Sequence, residues 1–177
     1  LFVLMPGLLY SQSQDWVRKS IYPQADSGKS KIYNWMWGRH YRHLYTITIR
    51  VPSATIETLG GGMDIVGQAE GFHGLLLENK RKQLYLLKPL GGSTSFLESK
   101  FFREIYNKAD FKNTYLDEFL GDAYTIINPY TFLVADYLAK SAGLSFSPSS
   151  IYYIPSHMRK DTVADGSDIQ DRLVNLI

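Results

Sequence analysis

One lysine stands where a mostly apolar segment meets a loop rich in glycine. Residues 84–87 (LYLL) lead to Lys88 and Pro89, and residues 91–93 (GGS) follow closely. Proline cannot continue a central β-ladder, so this pattern places Lys88 at the end of a strand. A cation at that point could bind an anion, or it could be a surface charge that closes the strand. These residues alone support both interpretations.

The densest aromatic stretch offers a different kind of chemistry. It covers residues 33–38 (YNWMWG), and more aromatic and basic residues follow as far as Tyr45. Trp35, Trp37 and Tyr41 are candidates for an aromatic surface on which a carbohydrate stacks. The alternative is an aromatic helix or turn that packs under the domain. The sequence leaves both interpretations open.

Two further patterns fall short of a site. His40 and His43 are three residues apart and could share a helical face, but a zinc site needs at least one more ligand. Residues 28–30 (GKS) look like the end of a phosphate-binding loop, yet Pro23 stands where the motif needs a glycine. The chain has no cysteine, which excludes disulfides, thiolate metal sites and cysteine catalysis. We therefore predict no metal ligands.

Several short elements would have to position these residues. Apolar runs on either side of a charged turn predict a β-hairpin, with Asn79 at the tip because asparagine tolerates a positive φ. Alternation predicts strands at residues 46–51 and 150–154, and residues 15–26 suggest a linker or short helix. Helices are predicted from Ser95, after Thr114 and after Asn128, the last ending at Gly143. The predicted fold class is α+β, a small antiparallel sheet with packed helices.

Composition limits the function classes. With 177 residues, of which 45% are hydrophobic and 20% charged, the chain has the length of one ordinary globular domain. A net charge of +2 is too small to indicate nucleic acid or an anionic membrane surface as a partner. No apolar run approaches the ~20 residues that a membrane-spanning helix needs. We therefore expect no nucleic-acid partner and no transmembrane helix.

The two ends of the sequence suggest a piece of a longer exported protein. Residues 1–10 (LFVLMPGLLY) are apolar and have the length of the central part of a signal peptide, and small residues follow. The last nine residues stop in the middle of a pattern. We interpret residues 1–13 as a partial signal peptide, 14–32 as a linker, 33–156 as an α+β domain and 157–177 as the start of a continuing region.

The order of the elements resembles the N-terminal lobe of a kinase-like fold. In that fold a strand lysine binds phosphate and a helix glutamate orients it. Lys88 is in the strand-end position, and Glu98, Glu104 and Glu118 are the candidate partners, of which we favour Glu98 and Glu118. The resemblance implies a Mg-nucleotide as the ligand. The alternative is that Lys88 is a surface charge and the glutamates form a solvated helix face.

A closer resemblance rests on several motifs between residues 31 and 156. These are residues 33–45 (YNWMWGRHYRHLY), 51–55 (VPSAT), 128–130 (NPY), 138–143 (LAKSAG) and 152–155 (YYIP). They are similar to a segment of Bacteroidetes-type outer-membrane proteins. In that family the segment commonly lies between a calcineurin-like metallophosphoesterase domain and a BamA/TamA-like surface-antigen β-barrel. This chain carries no metallophosphoesterase motif, so no phosphatase activity is implied for it.

The resemblance implies an exported location, in the periplasm or outer membrane of a Gram-negative bacterium. Our leading hypothesis is a cell-envelope module with an assembly, recognition or partner-binding role, joined to an outer-membrane barrel in the same polypeptide. The first alternative is an exported kinase-like phosphotransferase whose catalytic lobe is not in this sequence. The weaker alternative is a glycan-binding module. The residues do not form a complete catalytic set, so the sequence does not decide whether the protein is an enzyme.

Overall fold

The computed structural model describes residues 15–69, 74–91, 114–156 and 169–177. Four α-helices, one short 3-10 helix (Leu59–Gly61) and seven strands lie in these ranges. The α-helices are α1 (Lys31–Trp37), α2 (Arg42–Thr46), α3 (Tyr115–Tyr124) and α4 (Thr131–Ser141). The strands are β1 (Trp16–Lys19), β2 (Ile49–Pro52), β3 (Met63–Ala69), β4 (Gly74–Asn79), β5 (Leu84–Pro89), β6 (Ser150–Ile154) and β7 (Arg172–Leu176). The predicted signal peptide, the predicted helix from Ser95 and the candidate Glu98 lie outside the described residues.

The strands form two antiparallel sheets. β1 and β2 pair in a small sheet, and the other five strands form a sheet in the order β3-β4-β5-β7-β6. Mixed helices and antiparallel sheets confirm the predicted α+β class. β7 comes from the last residues of the chain and lies between β5 and β6, so the sheet extends past residue 156, where we had placed the domain limit.

The β4–β5 hairpin forms where the sequence predicts it. Leu75 pairs with Leu87 and Leu77 with Tyr85. The Oδ1 atom of Asn79 accepts hydrogen bonds from the backbone N–H groups of Arg81 and Gln83, at 2.8 and 3.0 Å. The positive φ of the turn is at Lys82, at 63°, and our placement of it at Asn79 was wrong. Asparagine organises this turn through its side chain and not through a left-handed backbone.

Local predictions were wrong at three other places. Residues 16–19 form strand β1 instead of a linker or helix, because they pair with β2 along its whole length. β2 begins at Ile49 and not at Thr46, which ends α2. The strand β7 was missed because four of its five residues are buried, so it lacks the alternation that marks a half-buried strand.

The core lies on both faces of the larger sheet. Leu77, Leu87 and Val174 are almost fully buried on one face, together with Leu59 and Ile154. On the other face Leu173 and Tyr153 pack against Val51 and Leu90, which brings the small sheet onto the large one. The strands therefore carry the core, and the helices lie around it.

We predict that Leu87→Ala lowers the free energy of unfolding by about 2–5 kcal/mol, because this fully buried side chain would leave a cavity. Leu84→Ala on the same strand is the matched control. Leu84 is 59% exposed, so its truncation should change stability by less than about 0.5 kcal/mol. Urea unfolding of both variants measures the difference. Equal effects at the two positions would contradict the assigned faces of β5.

Candidate functional site

The centre of the helical part is a buried arginine. The Arg42 side chain is 0% exposed, and its guanidinium makes four hydrogen bonds. Nε and Nη2 donate to the two carboxylate oxygens of Asp122, at 2.6 and 2.8 Å. Nη1 donates to Oδ1 of Asn34 at 2.8 Å and to the carbonyl oxygen of Gly38 at 2.7 Å. The planar guanidinium thus joins α1, α2 and α3 at one point.

Local sequence explains why α1 presents these partners. Ser30 caps the helix, since its Oγ accepts the backbone N–H of Tyr33 at 3.0 Å. Gly38 ends the helix with a φ of 79°, a conformation that a glycine adopts easily. The turn directs the carbonyl of Gly38 at Arg42, four residues later.

Tyr33 and Lys29 complete the arrangement around Asp122. The hydroxyl of Tyr33 donates to Oδ2 of Asp122 at 2.6 Å, and Nζ of Lys29 lies 3.8 Å from Oδ1. The Lys29 ammonium and the Arg42 guanidinium also lie over the Tyr33 ring, at 4.8 and 5.4 Å from its centroid. We call Lys29, Tyr33, Asn34, Arg42 and Asp122 the Arg42 cluster.

The charges of the Arg42 cluster shift the pKa values of its members. Burial alone would raise the pKa of Asp122, but the hydrogen bonds from Arg42 and Tyr33 and the positive charges of Arg42 and Lys29 outweigh it, so the pKa is lowered. Burial and the hydrogen bond to Asp122 raise the pKa of Tyr33 to about 12. At neutral pH the cluster therefore holds an ionised carboxylate and a neutral phenol.

A second set of contacts ties α2 to the end of α3. The backbone N–H of Tyr41 donates to the carbonyl of Thr125 at 2.8 Å. The Tyr45 hydroxyl lies 3.0 Å from the carbonyl oxygen of Tyr124 and 2.9 Å from that of Ile127. Nδ1 of His40 is 3.3 Å from the hydroxyl of Thr125. These contacts hold residues 40–45 against the end of α3. Together with the Arg42 cluster they attach α1 and α2 to α3, which is a structural role.

The candidate aromatic surface, formed by Trp35, Trp37 and Tyr41, is at least partly exposed to solvent. Trp35 is 83% exposed, and Trp37 and Tyr41 are about half exposed. The ring of Trp37 meets Phe119 of α3 edge to face, with 5.3 Å between centroids. The interpretation of the segment as a helix is therefore confirmed, and the interpretation that it packs under the domain is wrong for Trp35.

Lys88 occupies the end of β5, and its side chain is exposed. It pairs with Asn175 of β7, whose buried Oδ1 atom has no hydrogen-bond partner among the described residues. Gly91 in the loop has a φ of 87°, and a Cβ atom there would lie only 2.8 Å from Cγ2 of Ile21, so both the backbone conformation and the space require a glycine. Glu118 lies exposed on α3, and no hydrogen bond or ion pair joins these two described residues, Lys88 and Glu118.

Neither a cluster of metal ligands nor a membrane-spanning helix lies in the described ranges. They contain no group of three or more histidine, aspartate or glutamate side chains that could hold a metal ion. No helix there has both the length and the apolar character needed to cross a bilayer. Comparison with protein-family models, with curated proteins and with solved structures finds no match.

Sequence reasoning missed the Arg42–Asp122 pair. Residues 27–56 contain five lysines and arginines and no aspartate or glutamate, so a buried arginine there must take its carboxylate from a distant segment. This lack of nearby acidic residues is the sequence feature that indicates a distant partner for the arginine. It does not identify the partner, because Asp122 lies 80 residues away and has several acidic neighbours in the chain.

We predict an acid-dependent loss of stability that Asp122 causes. A carboxylate whose folded pKa is lowered contributes stability above its unfolded pKa of about 3.9, and that contribution is lost as the pH falls through the folded value. Urea unfolding between neutral pH and about pH 3 should show the loss in the wild type, with a flatter profile in Asp122→Asn.

Asp171→Asn is the matched control for this titration. Asp171 also has a lowered pKa, mainly through its hydrogen bond from Tyr153, but its side chain is largely exposed. Its replacement should therefore flatten the profile less than Asp122→Asn does. A wild-type profile that Asp122→Asn leaves unchanged would contradict the buried, ionised state of Asp122.

Proposed function

We propose that this chain is a partner-binding module of a larger, exported cell-envelope protein. The observation that carries the proposal is that α4 buries none of its residues, although it is rich in apolar side chains. Its exposed apolar side chains are Leu133, Val134, Tyr137 and Leu138. We call these four residues the α4 face.

An apolar helix that contributes little to the core needs another source of stability. Most helical stability in proteins comes from packing of an apolar face, and a contiguous exposed apolar patch commonly marks a site of interaction. Val134, Tyr137 and Leu138 are spaced so that they share one side of the helix. Association with a partner would remove this side from water and supply the missing packing.

The helix is held in place independently of that face. Asn128 holds the turn before the helix, because its Oδ1 accepts the backbone N–H of Tyr130, the N-cap residue, at 2.9 Å. Phe132 packs against the core, and Oδ2 of Asp136 accepts the backbone N–H of Ser149 at 2.7 Å. The α4 face is therefore presented on a helix whose other side is attached to the domain, which lowers the cost of ordering it on binding.

The partner that fits this proposal is another part of the same polypeptide, an outer-membrane barrel, at the envelope of a Gram-negative bacterium. The resemblance of residues 33–45 and the related motifs to outer-membrane proteins supports this choice. An intramolecular partner also benefits from a high effective concentration, so a modest apolar face is sufficient for a stable contact.

The second candidate function is an exported kinase-like phosphotransferase with Mg-nucleotide as its ligand. Two features favour it. Lys88 is exposed at a strand end, and opposite it in the sheet lies Asn175, whose Oδ1 has no hydrogen-bond partner in the part of the chain that the structure describes. No hydrogen bond or ion pair joins Glu118 to Lys88, so Glu118 does not act as the orienting glutamate in this structure. We therefore place this candidate second.

We predict that a photo-cross-linking amino acid at position 137 of the full-length protein, in intact cells, captures the partner in the envelope fraction. The matched control is position 84, which is similarly exposed but lies on the hairpin. Val134→Ser with Leu138→Ser should lower the yield at position 137 several-fold, because it removes apolar contact area. Mass spectrometry of the cross-linked peptides identifies the partner.

Two results would contradict the proposal. The first is a yield at position 137 no higher than at position 84. The second is recovery of the full-length protein in the cytoplasmic fraction. A cross-link to a separate envelope protein would support partner binding and replace the barrel as the partner.

A further inference from the structure

Helix α1 has its polar side inward and its apolar side outward, which is the opposite of an ordinary surface helix. Its inward side is polar: Tyr33 and Asn34 make hydrogen bonds to Asp122 and Arg42. Its outward side is apolar: Ile32, Trp35 and Met36, at spacing i, i+3 and i+4, are 71%, 83% and 63% exposed. A helix on the surface of a domain normally places its apolar side inward. The outward side of α1 is therefore suited to an apolar environment outside the domain.

The charged side chains within the segment that contains this helix have one sign. Residues 27–56 contain no aspartate or glutamate. Arg42 is paired with Asp122, and Lys29 lies near the same carboxylate, so these two cations face inward. Lys31 at the start of α1 and Arg39 just after its end are exposed. The outward side of α1 thus combines a tryptophan, two other apolar side chains and two flanking cations.

We propose that α1 docks on the surface of an anionic lipid bilayer. Trp35 and Met36 enter the boundary between headgroups and acyl chains, and Lys31 and Arg39 lie near the lipid phosphates. Indole rings favour this boundary because they combine an apolar body with an N–H donor. Each exposed cation near an anionic leaflet adds to the attraction.

The geometry favours a lipid surface over a protein groove as the occupant. With 83% of Trp35 exposed, its side chain projects from the domain, and a projecting side chain suits a planar, deformable surface. The Arg42 cluster fixes the inward side of the helix, so the outward side chains are presented without rearrangement of the domain. The exposed cations Lys31 and Arg39 are complementary to phosphate headgroups.

This contact is separate from the α4 face, and its test is separate too. The 177-residue chain is mixed with vesicles of equimolar phosphatidylglycerol and phosphatidylcholine, or of phosphatidylcholine alone, and bound protein is measured by flotation. We expect binding to the anionic vesicles that high salt weakens. Lipids brominated near the headgroup should quench tryptophan emission in the wild type and much less in Trp35→Phe.

Variants assign the contact to α1. Trp35→Ser with Met36→Ser should weaken the apparent affinity at least about tenfold. Lys31→Gln with Arg39→Gln should weaken it about thirtyfold for two lost cations near the surface. Val134→Ser with Leu138→Ser, on the α4 face, is the matched control and should change the affinity less than about twofold. Near-ultraviolet circular dichroism checks that each variant keeps its fold.

Each outcome decides the proposal. Binding that both α1 variants reduce and the α4 variant leaves unchanged supports it. Equal binding to neutral and anionic vesicles, no binding to either, or binding that the α1 variants leave unchanged would overturn it. Failure at this helix would leave the partner-binding role of α4 intact, because the two tests use different faces and different ligands.

Discussion

The buried ion pair between Arg42 and Asp122 is the interaction on which the packing of helices α1, α2 and α3 depends. Removing an arginine and a carboxylate from water costs several kcal/mol for each ion, and their attraction offsets that cost only when the remaining donors and acceptors are also satisfied. Here Asn34, Gly38 and Tyr33 provide those partners. The buried pair is tolerated because neighbouring groups satisfy the hydrogen bonds that the two ions do not make to each other.

That requirement explains the unusual arrangement of α1. The helix must turn Tyr33 and Asn34 inward to satisfy Arg42 and Asp122, so Ile32, Trp35 and Met36 are left on the outside. A helix of seven residues has little stability of its own, and the ion pair replaces the apolar packing that usually holds such an element. The exposed tryptophan is thus a consequence of the buried charge. This orientation of α1 gives its outward side an apolar surface that suits an apolar or interfacial environment.

The sequence predicted the elements whose signals are local. The β4–β5 hairpin follows from two apolar runs and Asn79. Helix α4 comes after Asn128-Pro129 and ends before Gly143 as predicted, although Tyr130 and not Asn128 stands at its N-cap position. It missed β1, whose four residues are too few for a clear period, and β7, which is buried on both faces of the sheet. The Arg42–Asp122 pair was missed because no local pattern specifies a partner 80 residues away. The aromatic segment was recognised, but only the pairing of Arg42 reveals which side of it faces outward.

A double-mutant cycle on Arg42→Met and Asp122→Leu tests the central claim most directly. Each single variant leaves one buried charge without its partner, so each should lose about 3–5 kcal/mol in the free energy of unfolding. The double variant should lose clearly less than the sum of the two, because it removes both charges together. Single losses below about 1 kcal/mol, or losses that simply add, would contradict the account, since an exposed or weakly coupled pair behaves in that way.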